Sequence, residues 1–239
     1  MTGRLPNFFA DVAAGLATFF FPSRCRACGA DLEGGGPRLL CEQCRRVFAA
    51  PLSAAWRDGC LLHAGETPEY ARLPYDGPAG AAVRLLKFGG HRRMAPLLAG
   101  AVAPLAAELA RAYELDVAVP VPLHPRRRRE RRFNQAEEIG SRLAAGAGLD
   151  FRPWGLARVR YTRPQVELEP EERLANVRGA FAARELFAGR RALLVDDVIT
   201  TGATVRECAG ELRRAGAAAV VCCAAAGGGI IPADEKAER

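Results

Sequence analysis

The stretch Ala192-Leu193-Leu194-Val195-Asp196-Asp197-Val198-Ile199-Thr200-Thr201-Gly202-Ala203-Thr204 decides the fold of this chain. Its four leading apolar residues predict a strand covered on both faces. That strand delivers two adjacent carboxylates, Asp196 and Asp197, at its C-terminal end. A loop of small residues follows, and a helix is expected to begin near Ala203. In an open α/β sheet, ligands sit outside the carboxyl ends of the strands. The loop carries hydroxyls at Thr200, Thr201 and Thr204, and Gly202 lets the backbone N–H groups turn inward. The helix aims its positive end, through Ala203, at the same point. Such a loop is a phosphate cradle. Carboxylates beside it repel a second phosphate but suit ribose hydroxyls or a metal ion. The string therefore describes a site for a ribose carrying a 5′-phosphate. The plainer alternative is a strand cap followed by a Thr-Gly turn.

Outward from this string the pattern repeats. Val117-Ala118-Val119-Pro120-Val121 and Ala219-Val220-Val221-Cys222-Cys223 read as two more buried strands. Met94 to Tyr113, Asn134 to Ala147 and Ala203 to Ala215 read as helices, with Gly216 placed to end the last. Strands alternating with helices imply an open parallel α/β sheet. The first 65 residues form a separate unit: an apolar helix, a cysteine module and an irregular stretch. Residues 66–226 carry the α/β domain, and residues 227–239, Gly-rich and then charged, are expected to be a disordered tail.

The chain has 239 residues, 49% of them apolar and 26% charged, which excludes wholesale disorder. Its net charge of +7 favours anionic partners. Only Lys87 and Lys236 are lysines; the other basic side chains are arginine. Phe8 to Phe21 is apolar apart from Asp11, too short to cross a bilayer and without a small-residue cleavage site. It reads as a helix docking on the rest of the protein, so no membrane span is expected.

Four of the eight cysteines form two pairs, Cys25-x2-Cys28 and Cys41-x2-Cys44, around a loop at Gly34-Gly35-Gly36-Pro37. Four thiolates at this spacing suit tetrahedral Zn²⁺ in a ribbon too small to hold a core of its own. The pattern indicates metal rather than disulfides, hence a reducing cytoplasmic location. Cys208, Cys222 and Cys223 read as core residues.

The acidic string is the signature of type I phosphoribosyltransferases, which it matches without a gap. Ahead of it come Val119-Pro120-Val121-Pro122-Leu123-His124-Pro125-Arg126, Arg132-Phe133-Asn134-Gln135-Ala136, Thr162-Arg163-Pro164-Gln165 and Arg173-Leu174-Ala175-Asn176-Val177-Arg178-Gly179-Ala180-Phe181. In this order the segments resemble the ComF family, competence-associated proteins with an N-terminal zinc ribbon and a phosphoribosyltransferase domain. The resemblance implies that Asp196 and Asp197 hold the ribose hydroxyls of phosphoribosyl pyrophosphate (PRPP), with Mg²⁺ as a companion. The loop from Thr200 to Thr204 would hold its 5′-phosphate. Val121 to Arg126 would be the pyrophosphate loop, with Arg126 reaching the ligand, and Tyr161 to Asn176 a loop closing over the site. It also implies a link to DNA uptake. Many relatives carry a second set of four metal ligands; here only Cys60 and His63 follow, and they read as an unligated remnant.

Six arginines fall between Arg126 and Arg132, next to Phe133. Arg127, Arg128, Arg129, Arg131 and Arg132 suit single-stranded DNA, with charge for the backbone and a ring for a base. A solvated loop is the competing reading. His91-Arg92-Arg93 adds to this basic surface, and His124 is unassigned. Three functions stay open on these residues. One is a ComF-type protein that binds PRPP and handles single-stranded DNA. Another is a transferase acting on an unidentified base. The third is an interaction module recruiting DNA-processing proteins.

Overall fold

The computed structural model describes residues 24–32, 38–55, 60–162 and 175–228. The apolar segment from Phe8 to Phe21, the Gly34–Pro37 loop, most of the expected closing loop and the tail beyond residue 228 lie outside them. Among the described residues the central sheet has six strands in the order β1-β2-β8-β7-β3-β4. They span Leu61–His63 (β1), Glu69–Pro74 (β2), Val117–Pro120 (β3), Asp150–Phe151 (β4), Arg191–Ile199 (β7) and Ala219–Gly227 (β8). All neighbours are parallel except β1 and β2. A separate antiparallel pair joins β5 (Leu156–Arg158) to β6 (Phe181–Ala183).

Period-two alternation gives each central strand two apolar faces. Leu193 and Val195 of β7, Val221 and Cys223 of β8 and Ala118 of β3 join one core. Ala192 and Leu194, Cys222 and Ala224, and Val117 and Val119 join the other. The first face is covered by α2 (Gly77–Phe88), α3 (Met94–Ala112) and α5 (Gln135–Ala147). The second is covered by α6 (Ala203–Arg214). Helix α3 is long and apolar enough, by length and composition, to cross a membrane. In the fold, its Leu98, Val102, Leu105 and Leu109 are fully buried.

The N-terminal module shares the first core. Helix α1 (Glu42–Ala49) buries Cys44 and Phe48 in the same cluster as Leu98 and Val102. Cys60 is buried there too, and β1 pairs with β2, so the sheet reaches back to Leu61.

Two strands run further than their apolar patterns predict. β7 continues past Val195 to Ile199 because β8 stays paired with it as far as Gly227. Gly228 then donates its N–H to the Ile199 carbonyl at 2.9 Å. Asp196 and Asp197 therefore lie within the strand, not after it. The arginine run, for which a solvated loop is one of two readings, is a seven-residue helix, α4 (Pro125–Arg131). Pro125 sits in its first turn, and His124 Nδ1 caps it by accepting the Arg126 N–H at 3.2 Å.

Asn134 joins β3 to α5. Its Oδ1 accepts from Ala136 N–H at 3.2 Å and its Nδ2 donates to the Val121 carbonyl at 3.0 Å. The residue is buried. Asn134→Ala removes a helix cap and orphans a buried carbonyl, each worth about 1–2 kcal/mol. Urea denaturation should show a loss of about 2 kcal/mol with an unchanged m-value. A variant as stable as wild type would contradict this bracing role.

Candidate active site

β3 leaves the sheet after Pro120, and Val121 makes one last bond to it, donating to the Val195 carbonyl at 2.8 Å. Beyond that point β7 is uncovered on this side while β8 still holds the other. From β3 the chain crosses through α5 to β4; from β7 it crosses through α6 to β8, in the opposite direction. Opposed crossovers leave a crevice at the strand ends. A cleft of about 420 Å³ opens there.

Asp196 and Asp197 form one wall of the cleft together with Thr200, Gly202, Ala203 and Thr204. Thr201 does not line it; its buried Oγ1 has no hydrogen-bond partner. Neighbouring residues of a strand point to opposite faces. Asp197 leans toward α2, where Lys87 Nζ lies 2.9 Å from its Oδ1. Asp196 lies toward α6, where its charge acts on Cys208, and its Oδ1 accepts the Asp197 N–H at 2.8 Å. Burial, and then repulsion from Asp197, push the Asp196 carboxyl up to about 8. Burial opposes the Lys87 ammonium, but attraction to Asp197 and Asp196 outweighs it and holds its pKa above the ordinary value.

Gly202 starts α6 with φ +73°, and a Cβ there would run into the Glu69 carboxylate. Glu69 is buried at the start of β2 and pairs with Arg206 Nε at 2.6 Å. This pair braces the Thr200–Thr204 loop from behind, and no motif in the sequence announces it.

The opposite wall is basic. A helix distributes the arginines of α4 over several faces. Arg127 and Arg131, one turn apart, line the cleft. Arg126 instead pairs with Glu130 at 3.1 Å. Arg128 makes two bonds to Glu137, at 2.8 and 3.3 Å. Arg129 and Arg132 are exposed. Arg158 of β5 joins the cleft wall. It is 9% exposed, its Nε has no hydrogen-bond partner, and it donates to Thr162 Oγ1. Burial, and then repulsion from Arg127, bring this guanidinium down to about 10. Gln135 also lines the cleft, with a buried, unpartnered Nε2. Sequence reasoning missed Arg158 and Lys87 because each lies on an element with no motif of its own.

Phe133, expected as a stacking ring, is buried at the foot of α5 beneath Arg92. The exposed rings near α4 are others. Phe88 is 70% exposed, Trp154 56% and Tyr161 43%. Arg131 lies over Phe88, Arg128 over Trp154, and Arg126 and Arg127 over Tyr161, at 4.4–5.7 Å from the ring centres.

Away from the cleft, the Sγ atoms of Cys25, Cys28, Cys41 and Cys44 all lie within 4.8 Å of one another, and they can bind a metal such as zinc. Gly29, at φ +77°, turns the first knuckle, and Cys41 is the N-cap of α1, which sets Cys44 in its first turn. Burial raises the Cys25 thiol, but N–H groups of Cys28, Cys41 and Ala27 prevail and bring it down to about 6. Among the described residues Cys60 and His63 lie outside this cluster.

A family described as phosphoribosyl transferase domain matches residues 100–237. A "DNA utilization protein YhgH" of Salmonella typhimurium is 35% identical over 185 residues, 74% of this chain and 79% of the relative. The chain belongs to the ComF family. "Competence protein F" of Haemophilus influenzae is 35% identical to this ComF-family chain over 104 residues, 42% of this chain and 45% of the relative. Among solved structures, a purine phosphoribosyltransferase from Pyrococcus horikoshii aligns over 51% of this chain and 67% of that one, at 18% identity and a TM-score of 0.33.

The position of Asp196 makes stability depend on pH. An unfolded aspartate titrates near 3.9, and the folded carboxyl near 8. Between these values the native state binds the extra proton, so the stabilisation is full at low pH and is lost as pH rises toward the folded value. Wild-type stability should therefore fall between about pH 4 and about pH 8, and Asp196→Asn should flatten the fall. Denaturation curves that decline in parallel for both proteins would contradict it.

Proposed function

We propose that this ComF-family chain binds the ribose 5-phosphate portion of PRPP at the end of β7 and handles single-stranded DNA on the surface beside it. The observation that carries the reading is the cleft itself, with the acidic pair and the phosphate loop on one wall and three arginines on the other. Asp196 and Asp197 accept hydrogen bonds from the ribose hydroxyls. The backbone N–H groups of the Thr200–Thr204 loop and the start of α6 take the 5′-phosphate. Arg127, Arg131 and Arg158 face the pyrophosphate, a role the sequence pattern had given to Arg126. Mg²⁺ would accompany the pyrophosphate as its counter-ion. Excluding water from the anomeric carbon is the remaining task of such a site.

The DNA reading rests on the three exposed rings and the arginines over them. Rings accept bases of any sequence, and guanidinium groups follow the phosphates. Arg129 and Arg132, exposed at the far end of α4, extend the charge away from the cleft. Four thiols at zinc spacing support a zinc ribbon, and that metal-type spacing supports a reducing, cytoplasmic location.

Calorimetry separates the functional groups. Asp196→Asn with Asp197→Asn should cost PRPP about 2–4 kcal/mol of affinity, the scale of two charge-assisted hydrogen bonds. Inorganic phosphate should bind as before, because its loop is untouched. Wild-type protein that binds neither ligand at millimolar concentration would overturn the reading. For DNA, Phe88→Ala and Trp154→Ala should each weaken a labelled oligonucleotide by about 1–3 kcal/mol. Arg129→Ala with Arg132→Ala should reduce the salt slope by about 0.7 for each DNA phosphate that is no longer neutralised. Unchanged anisotropy curves for all of these would remove the DNA assignment. Metal analysis should find one zinc per chain, released by Cys44→Ser and retained by Cys60→Ser; two zincs, or loss with Cys60→Ser, would contradict a single four-thiol site.

A further inference from the structure

Of the 34 basic side chains in this sequence, two are lysine. Lys236 lies outside the described residues, so Lys87 is the one lysine within them. It stands in the last turn of α2, where Gly89 and Gly90, the latter at φ +65°, end the helix beside the cleft. Its Nζ lies 2.9 Å from Asp197 Oδ1, with side chains 21% and 7% exposed. Among the described residues no other cation lies within ion-pair distance of Asp196 or Asp197. Arg131 and Arg158 act on the pair only from further away.

The chemistry of the two cation types explains the exception. A guanidinium is a planar fork that seeks a bidentate partner, whereas an ammonium is a compact point charge with three donors. The ammonium approaches Asp197 from the α2 side, with the negative end of that helix favouring its charge. Lys87, Asp196 and Asp197 all line the cleft. In many carboxylate sites the charge placed in this position is a divalent cation held by oxygen ligands.

We propose that Lys87 is the built-in cation of the acidic pair. It occupies the place of a divalent metal at these carboxylates, so a ribose 5-phosphate group binds there without Mg²⁺. Removing the ammonium turns the same two carboxylates into a divalent-cation site. The ligand half of this statement rests on the proposed function; the metal half does not. Mg²⁺ that travels with a pyrophosphate is a property of that ligand, so ribose 5-phosphate, which lacks one, is the appropriate probe.

Two measurements on the full chain test the idea. In the first, ribose 5-phosphate is titrated into wild-type protein in magnesium-free buffer and again with Mg²⁺. The two dissociation constants should agree within about twofold, and an increase in affinity of about tenfold on adding Mg²⁺ would overturn the proposal. In the second, Mn²⁺ binding is followed by electron paramagnetic resonance. Lys87→Met should gain one Mn²⁺ site that wild type lacks. The gain should vanish when Asp196→Asn and Asp197→Asn are added, and Lys87→Arg should not acquire the site. A folded Lys87→Met protein with no new Mn²⁺ site would overturn the proposal. Should wild type bind no ribose 5-phosphate in either buffer while Lys87→Met still gains Mn²⁺, the ligand reading falls and Lys87 stands as the cation of the pair.

Discussion

Two neighbouring carboxylates at the end of a buried strand repel each other, and the surrounding cleft is arranged around that repulsion. At 4 Å two like charges oppose each other by about 4 kcal/mol at an effective dielectric constant of 20. The strand alternation turns Asp196 and Asp197 to different faces, Lys87 meets one of them, and burial holds the Asp196 carboxyl above its ordinary pKa. The arginines of the facing wall contribute the remaining positive field. The pair is thus compensated by one ammonium that lines the cleft with it.

The backbone serves the same end. β8 holds β7 straight for two residues beyond the acidic pair, while β3 departs before it, so the carboxylates are rigid on one side and accessible on the other. Gly202 admits the tight turn into α6, and the pair of buried Glu69 with exposed Arg206 fixes that turn from beneath. The cysteine module belongs to the same body. Its α1 buries Phe48 against α3, whose opposite side packs on α5, so a metal bound there would stabilise the scaffold that carries the basic wall.

Three central strands of the sheet, three of its helices and the acidic string were legible because each is local. Continuous apolar runs mark buried strands, and a strand–loop–helix string fixes its own geometry. The four-thiol cluster was legible for the same reason: two short pairs need only one turn to meet. What escaped depends on contacts between distant segments. Lys87 and Asp197 are far apart in sequence, as are Arg158 and Arg127. The arginine run misled in a different way. Its composition reads as a solvated or nucleic-acid-binding loop. One turn of helix instead sends Arg127 and Arg131 to the cleft, Arg128 to Glu137 and Arg126 to Glu130. Phe133 was adjacent in sequence but faces the core, while Phe88, Trp154 and Tyr161 come to the same surface from three other segments.

Whether the end of β7 is a ribose-phosphate site is decided by a crystal structure of the chain with ribose 5-phosphate. The phosphate should sit on the backbone N–H groups of residues 200–204 at the start of α6, with the sugar hydroxyls turned to Asp196 and Asp197. A phosphate held instead by Arg127, Arg131 and Arg158, with the sugar away from the carboxylates, would contradict the assignment.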